Sequence, residues 1–290
     1  MPTGPSIGLV TCRVLPEPDP DQQLMLNLLA AAGLDAALIP WDDADIDPAN
    51  HTLLILRSCW NYHEHPDDFL EWCRRAASAT RLRNPLELVE WNLHKRYLTS
   101  LESAGLPVVP TVFVSRGERP SLGEMLTNCG WTDVVIKPCI SAGSANTRRF
   151  RDAPSDPGAD AFLNSIALST DAMIQPFIQS VETGGERSAV WIGDEATHAI
   201  VKQPRFHDDD ESVSDAVDIT PEEHALRDAI RPLLPAEPLY ARLDTMRSRD
   251  GSLLISEVEL IEPSLFLLQS ERAQRAFVRA IAGALGEPAL

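Results

Sequence analysis

Along this chain apolar residues come in short blocks separated by polar punctuation. Ile7 to Cys12 is a β-branched run, Asp21 to Ala32 carries apolar residues at helical spacing closed by Gly33, and Leu53 to Leu56 is an unbroken apolar stretch. A strand buried on both faces reads as such a stretch, so the order strand, helix, strand predicts a β-α-β unit, a parallel sheet and an α/β fold class. Pro66-Asp67-Asp68 then opens a helix through Phe69, Leu70, Trp72 and Cys73, and Asn84-Pro85 stops the next stretch. These elements place a small α/β domain at residues 1–90.

Beyond it the pattern predicts a helix over Asn92 to Ala104 ended by Gly105, strand structure from Pro107 to Val114, and a strand at Asp133 to Lys137. That strand breaks at Pro138 into a loop of small residues, Ser141 to Asn146. Strands are expected at Met173 to Ile178 and Ala189 to Ile192, with the turn-rich segment Glu182 to Glu186 between them. The acidic run His207 to Asp218 reads as an excursion from the pattern. Strands at Leu239 to Met246 and Leu253 to Leu260 flank the turn Arg249-Asp250-Gly251, and a helix from Gln269 to Leu285 closes the sequence. No internal repeat is visible.

The 290 residues, 44% of them hydrophobic, suffice for a well-buried core. Forty-three acidic against 25 basic side chains give a formal charge of −18, which argues against a nucleic-acid partner, since phosphates need a dense basic face. No apolar run reaches the roughly 20 residues that span a bilayer. The segment MPTGPSIGLVTCRV has no basic region of the signal-peptide kind, and no membrane partner is expected. Cys12, Cys59, Cys73, Cys129 and Cys139 contain no C-x-x-C pair, so neither disulfides nor structural zinc are expected and a reducing cytoplasm fits. The seven histidines show no metal-site spacing. Among the basic residues only Lys95, Lys137 and Lys202 are lysines, a scarcity that codon bias would explain as readily as chemistry.

Two stretches carry candidate chemistry. The strand DVVIK followed by a Gly/Ser loop sets Lys137 beside backbone N–H groups and hydroxyls free to wrap an anion, although the P-loop pattern is absent. In the hairpin YARLDTMRSRDGSLLISEVELIEPS, Asp244 lies on one strand while Glu257 and Glu259, two apart, share a face of the next. Carboxylates gathered on one face repel and resist burial, a conflict that a hard divalent cation such as Mg²⁺ resolves. A solvent-facing strand edge would explain the same alternation. Arg242 shares the face of Asp244, where a fixed guanidinium could stabilise developing negative charge.

Together these motifs resemble the ATP-grasp superfamily of carboxylate-amine ligases, typified by D-alanine-D-alanine ligase and glutathione synthetase, over roughly residues 92–268. The resemblance implies an ATP-grasp fold with an N-terminal α/β domain (1–90), a central subdomain carrying the phosphate loop (91–180) and a C-terminal subdomain carrying the metal-binding acids (181–290). It implies ATP and Mg²⁺ (or Mn²⁺) as cofactors. Lys95 in WNLHKRYL matches a phosphate-holding lysine on a helix, and Lys137 one on the strand before the loop, with Ser141, Gly143 and Ser144 in the loop itself. Gln175, Phe177 and Ile178 match the adenine-binding connection, Glu186 or its neighbour Glu182 the ribose-binding acid, and Lys202 a further basic residue reaching the phosphates. Arg242, Asp244, Glu257 and Glu259 match the R-x-D and acid-x-acid/Asn motifs, with Asp244, Glu257 and Glu259 as metal ligands and Arg242 and Lys202 as catalytic residues. Glu259 departs from those two enzymes, which carry asparagine; the change adds charge and keeps an oxygen ligand. Within the superfamily, RSCWNYHEHPDDFLEW, NPLELVEWNLHK and ELIEPSLFL look most like the cyclo-ligase of D-cycloserine biosynthesis and its relatives, which activate O-ureido-D-serine with ATP.

The activity so implied is ligation through an acyl phosphate that an amine displaces, on a small amino-acid-like substrate. Cyclisation and intermolecular dipeptide-type ligation both remain open, as do a small-molecule phosphotransferase and a non-catalytic nucleotide binder. Arg57, Trp60 and Tyr62 follow a buried strand at the sheet edge where α/β folds bind ligands; with Ser264 in the Glu262-Pro263-Ser264 segment they are the candidate substrate residues, Arg57 as a carboxylate clamp. The assembly is left open, with a homodimer or homotetramer in view.

Overall fold

The computed structural model describes residues 6–203 and 212–286. Its first sheet is parallel throughout, in the order β2 (Ala36–Pro40), β1 (Ile7–Thr11), β3 (Leu53–Ser58), β4 (Arg81–Arg83). The β-α-β expectation holds with an added strand: α1 (Gln22–Ala31) runs into β2, and β3 pairs on the other side of β1. β2 was illegible because its sequence, AALIP, is half-exposed at the sheet edge and lacks the unbroken apolar signature. Gly33 (φ +74°) takes the left-handed turn that ends α1, and Leu34 N donates back to Leu29 O at 2.9 Å. α2 (Pro66–Ala79) covers the sheet with Phe69, Trp72, Cys73 and Ala76.

The expected helix over 92–104 is instead two, α3 (Leu86–Asn92) and α4 (Tyr97–Ser103), with a turn at His94 to Arg96. The break has a local cause. Lys95 N donates across to Cys139 O (2.9 Å) rather than to the preceding helical turn, and the Asn92 side chain bonds the backbone at Val258 O (2.7 Å) and Leu260 N (2.8 Å).

The second sheet is antiparallel, in the order β5 (Val112–Val114), β8 (Ala172–Pro176), β6 (Val134–Pro138), β7 (Arg148–Phe150), backed by α5 (Leu122–Cys129) and α6 (Pro157–Ala167). After the short α7 (Val181–Gly184), where only turns were expected, comes the third sheet, with order β10 (Glu195–Lys202), β9 (Glu186–Ile192), β11 (Tyr240–Arg247), β12 (Leu253–Glu259). Gly185 is required at the entry: at φ +69° any Cβ there would sit 2.6 Å from Lys202 O. Of the acidic run, His207 to Glu211 lie outside the described residues, whereas Val213 and Val217 bridge back to Lys202 and Ala199 of β10.

Period-two alternation divides the β11–β12 hairpin into two faces. Leu243 pairs with Val258 on an apolar face packed against α8 (Pro221–Ile230), while Arg242 pairs with Glu259 and Asp244 with Glu257 on the other. The final helix, α9 (Glu271–Gly286), buries Ala273, Ala276, Phe277, Ile281 and Ala284 in one stripe against Ile7 and Leu9 of the first sheet and Val190 and Ile192 of the third. Burying side chains such as Phe277 and Ile281 contributes about 1.5–3 kcal/mol each, so α9 ties the first and third sheets into one body. Among the described residues no helix is long and apolar enough to cross a membrane.

Candidate functional site

A cleft of about 1040 Å³ opens between the three sheets. Its floor is the charged face of β11 and β12. Lys95 Nζ (3.2 Å) and Lys137 Nζ (2.6 Å) both reach Glu257, one to each carboxylate oxygen. Lys202 Nζ lies 2.9 Å from Glu186 and 2.8 Å from Asp244. Arg242 grips both Asp244 oxygens at 2.9 Å and also bonds Glu259. Ser188 Oγ donates to Asp244 (2.6 Å), and Ser256 Oγ to Glu186 (2.5 Å).

This pairing sets the ionisation of the floor. Burial opposes charge on every acid here, yet Arg242 and Lys202 hold Asp244 well below the usual carboxylate range, and Lys137 and Lys95 bring Glu257 down to about 2. Glu259 is different: burial pushes it up to about 7, against the pull of Arg242 and Lys202 and with added repulsion from Asp244 and Glu257. Lys202 is raised, because Asp244 and Glu186 overcome the cost of its own burial. Among the described residues no three His, Cys, Asp or Glu side chains stand arranged to hold a metal ion, since each floor acid is turned to a cation. The donor chemistry nevertheless fits a hard divalent ion. Asp244 and Glu257 face each other across the hairpin, all the candidate ligands are carboxylate oxygens, and the crowding that raises Glu259 is what added positive charge relieves.

One wall is the loop after β6. Its hairpin-like bonds, Ala145 N to Ala142 O (3.0 Å) and Thr147 N to Ser144 O (3.1 Å), close it through left-handed Gly143, Ser144 and Asn146. Ser141 is buried, and its carbonyl accepts from Lys95 Nζ (3.3 Å) and Tyr62 OH (3.4 Å). Farther along, Val109, Val135, Phe177, Ile178 and Met246 make an apolar recess. Gln175 Nε2 donates to Thr111 there (2.9 Å), and the Arg149 guanidinium lies 3.3 Å from the Phe177 ring centre. At the opposite end Trp60 and Tyr62, which follow β3, meet Glu262 and Ser264, which follow β12.

The family described as the N-terminal domain of D-cycloserine synthetase DcsG matches residues 7–84. The cycloserine biosynthesis protein DcsG of Streptomyces lavendulae is 29% identical over 307 aligned positions, covering 95% of this chain and 97% of that protein. The crystal structure of D-cycloserine synthetase DcsG superposes with a TM-score of 0.87 at 29% identity, over 96% of this chain and 99% of that one. The chain has the ATP-grasp fold and resembles such a ligase over nearly its whole length. The D-alanine–D-alanine ligase of Bacillus anthracis complexed with ATP shares the fold at a TM-score of 0.66 and 15% identity, over 97% of this chain and 99% of its own. This ATP-grasp ligase accordingly couples ATP to the formation of a C–N bond, and its family uses a divalent metal ion.

The ATP-grasp cleft brings together Lys95, Lys137, Ser141, Gly143, Ser144, Gln175, Phe177, Ile178, Glu186, Lys202, Arg242, Asp244, Glu257, Glu259, Trp60, Tyr62 and Ser264. Two expected members do not line it. Arg57 is buried beneath the substrate end, its guanidinium 5.0 Å from the Tyr240 ring centre and its Nη2 donating to Pro263 O (2.7 Å), so it supports that segment instead of clamping a carboxylate. Glu182 is turned outward into ion pairs with Arg149 (2.5 Å) and Arg151 (3.6 Å). Lys95 reaches the cleft from a turn rather than from a helix. Sequence reasoning assigned nothing to Arg149, which lies on β7 in a stretch without any motif; its only signal was its place shortly after the small-residue loop. It likewise gave Glu262 no role of its own.

Proposed function

We propose that this enzyme activates the carboxyl group of O-ureido-D-serine, or a close amino-acid-like relative, and closes it on a nitrogen of the same molecule. The observation that carries the reading is the make-up of the substrate end. Trp60 and Tyr62 come from the N-terminal sheet, within the residues matched by the DcsG N-terminal family, whereas the fold shared with other ATP-grasp ligases accounts for the nucleotide end. In this reading residues 1–90 form the substrate wall, and 91–180 and 181–290 the two walls that grip ATP.

Lys95, Lys137 and Lys202 neutralise the triphosphate, with Ser141, Gly143 and Ser144 wrapping it and excluding water. Gln175, Phe177 and Ile178 hold the adenine, and Glu186 the ribose. Asp244, Glu257 and Glu259 are the ligands for Mg²⁺ (or Mn²⁺), which when bound supplies charge neutralisation at the phosphates. With nucleotide bound, the lysines would turn from Glu257 and Asp244 to phosphate oxygens, leaving those carboxylates available to hold the ion. Arg242, fixed by its two-pronged grip on Asp244, stabilises the oxyanion as nitrogen displaces phosphate from the acyl phosphate.

The test is incubation of the purified protein with ATP, Mg²⁺ and O-ureido-D-serine, followed by mass spectrometry. D-cycloserine with release of ADP and phosphate is the expected result, the carbamoyl group on the attacking ureido nitrogen being lost to water as CO₂ and ammonia. A condensed dimer from a panel of amino acids would reassign the enzyme to intermolecular ligation, and ADP release with no need for a nitrogen acceptor would make it a phosphotransferase.

A further inference from the structure

Where β12 ends, the chain is fastened to an unusual degree. Four of five consecutive carbonyls receive a side-chain donor from elsewhere in the fold, Leu260 O from Asn84 (2.7 Å), Glu262 O from Trp60 (3.1 Å), Pro263 O from Arg57 (2.7 Å) and Ser264 O from Arg242 (3.4 Å), while Ile261 O lies 3.0 Å from the Tyr240 hydroxyl that it shares with Leu56 O. A backbone pinned on both sides of Glu262 and at Glu262 itself presents that side chain in a fixed position. What it presents to the cleft is the Glu262 carboxyl, only 8% exposed.

That carboxyl lacks what its neighbours have. Glu257, Asp244, Glu259 and Glu186 each pair with a lysine or arginine, whereas among the described residues Glu262 forms no ion pair. Lys95 and Arg242, the cations closest in charge influence, are already bonded to Glu257 and to Asp244 and Glu259. Tyr62 is its hydrogen-bonding neighbour, but a phenol has a single proton and the Ser141 carbonyl is within reach of it too. Burying a carboxylate without a cation is costly, and the carboxyl is pushed up to about 8 by that burial and by Glu259.

We propose that Glu262 is the specificity-determining receptor for a protonated amine of the substrate, so that the ligand itself supplies the missing cation. A divalent ion is the poorer occupant, because the neighbouring Glu259 is engaged by Arg242 and the rings of Trp60 and Tyr62 line the same end; hard ions need several free oxygens, while ammonium groups suit aromatic faces. The inference rests on the reading of this cleft as that of an amino-acid ligase and adds a consequence to it. An amine held as a cation is not a nucleophile, so the nitrogen that attacks the activated carboxyl is a different one in the same substrate.

Calorimetry in the presence of MgADP tests this with two probes, O-ureido-D-serine and its deamino counterpart, 3-(ureidooxy)propanoate, against wild type and Glu262→Gln. The amine-bearing probe is expected to bind wild type tighter and to lose about 10- to 100-fold on substitution, as for other hydrogen bonds to charged groups. The deamino probe should bind both proteins alike, with ADP affinity changing less than about twofold. Equal losses for both probes, a parallel loss for ADP, or an unchanged affinity for the amine would each overturn the proposal. If wild type binds neither probe, it is the substrate reading that fails. The same cycle is then run with D- and L-amino acids and their deaminated acids, where an amine-bearing binder insensitive to Glu262→Gln sinks the proposal. Glu262→Asp, which keeps the charge, should retain preference for the amine and so separates charge from packing.

Discussion

The floor of the cleft and the segment that leaves it, only three residues apart along the chain at Glu259 and Glu262, treat charge in opposite ways. On the floor, Lys95, Lys137, Lys202 and Arg242 are matched by Glu186, Asp244, Glu257 and Glu259, and the side chains hold one another in place. In the exit segment the backbone is what is held, carbonyl by carbonyl, and the acidic side chain is left without a cation. A mutually neutralised floor must exchange partners when ligands arrive, which suits groups that handle phosphate and metal. A pinned backbone with an unsatisfied carboxyl needs no rearrangement, which suits recognition of a substrate by its charge.

The comparison breaks most severely at Glu257. Glu257→Ala leaves two lysines, 10% and 13% exposed, facing each other without their shared counter-ion. Loss of one partner of a buried pair costs about 3–5 kcal/mol, so the urea midpoint should fall by a corresponding amount, together with ATP turnover. An unchanged midpoint would mean that the floor is not held by its charges. Next in size, Lys137→Ala should keep the fold and lower turnover by about 100-fold or more, as for loss of one pre-positioned donor to a developing charge. Lys→Arg at 95, 137 and 202 sharpens the point: each ammonium sits in a compact ion-paired setting that a planar fork does not reproduce. Three active arginine variants would return the scarcity of lysine to codon bias.

How much of this was legible beforehand depended on whether the signal was local. The acids of β11 and β12 could be read because a strand's period of two converts spacing into a shared face, and register then set Asp244 opposite Glu257. The loop after Lys137 announced itself by composition. The fastening of residues 260–264 was invisible, because its donors come from Arg57, Trp60, Asn84, Tyr240 and Arg242, as many as 206 positions away. For the same reason Arg57 reads as a substrate clamp from its place after β3, while the fold directs it under the segment. The split between α3 and α4 was equally nonlocal, forced by bonds from Lys95 and Asn92 to other sheets.

The exit segment yields a smaller, pH-dependent effect. Glu262 ionises at about 8 in the fold against an ordinary value of 4.5, so the fold prefers its protonated form. That preference stabilises the ligand-free protein fully below about pH 4.5 and is lost as pH rises through about 8. His63, His94 and His198, whose burial favours the neutral ring, act in the opposite sense at the acidic end, and Glu259 loses its own contribution as pH rises through about 7, which makes the stretch from about 7 to 8 the informative one. Thermal denaturation across that stretch should show a decline in wild type that is flatter in Glu262→Gln. Parallel curves would show that Glu262 carries no unmet charge.

The smallest predicted effect separates two acids that the sequence leaves equivalent. Glu186 and Glu182 lie four residues apart and both fit a ribose-binding position, but Gly185 turns the chain so that Glu186 begins β9 inside the cleft. There it is fixed by Lys202 (2.9 Å) and Ser256 (2.5 Å), whereas Glu182 remains on α7 among Arg149, Arg151 and Gln179. A charge-assisted bond to a ribose hydroxyl should make Glu186→Ala raise KM for ATP about tenfold or more. Glu182→Ala leaves Arg149 still anchored by Asp133 at 2.6 and 2.9 Å over Phe177, and an exposed ion pair is worth about 1 kcal/mol at most. Its KM for ATP should therefore change by less than about threefold. The reverse ranking would move the ribose to the outer acid and require α7 to swing toward the cleft when nucleotide binds.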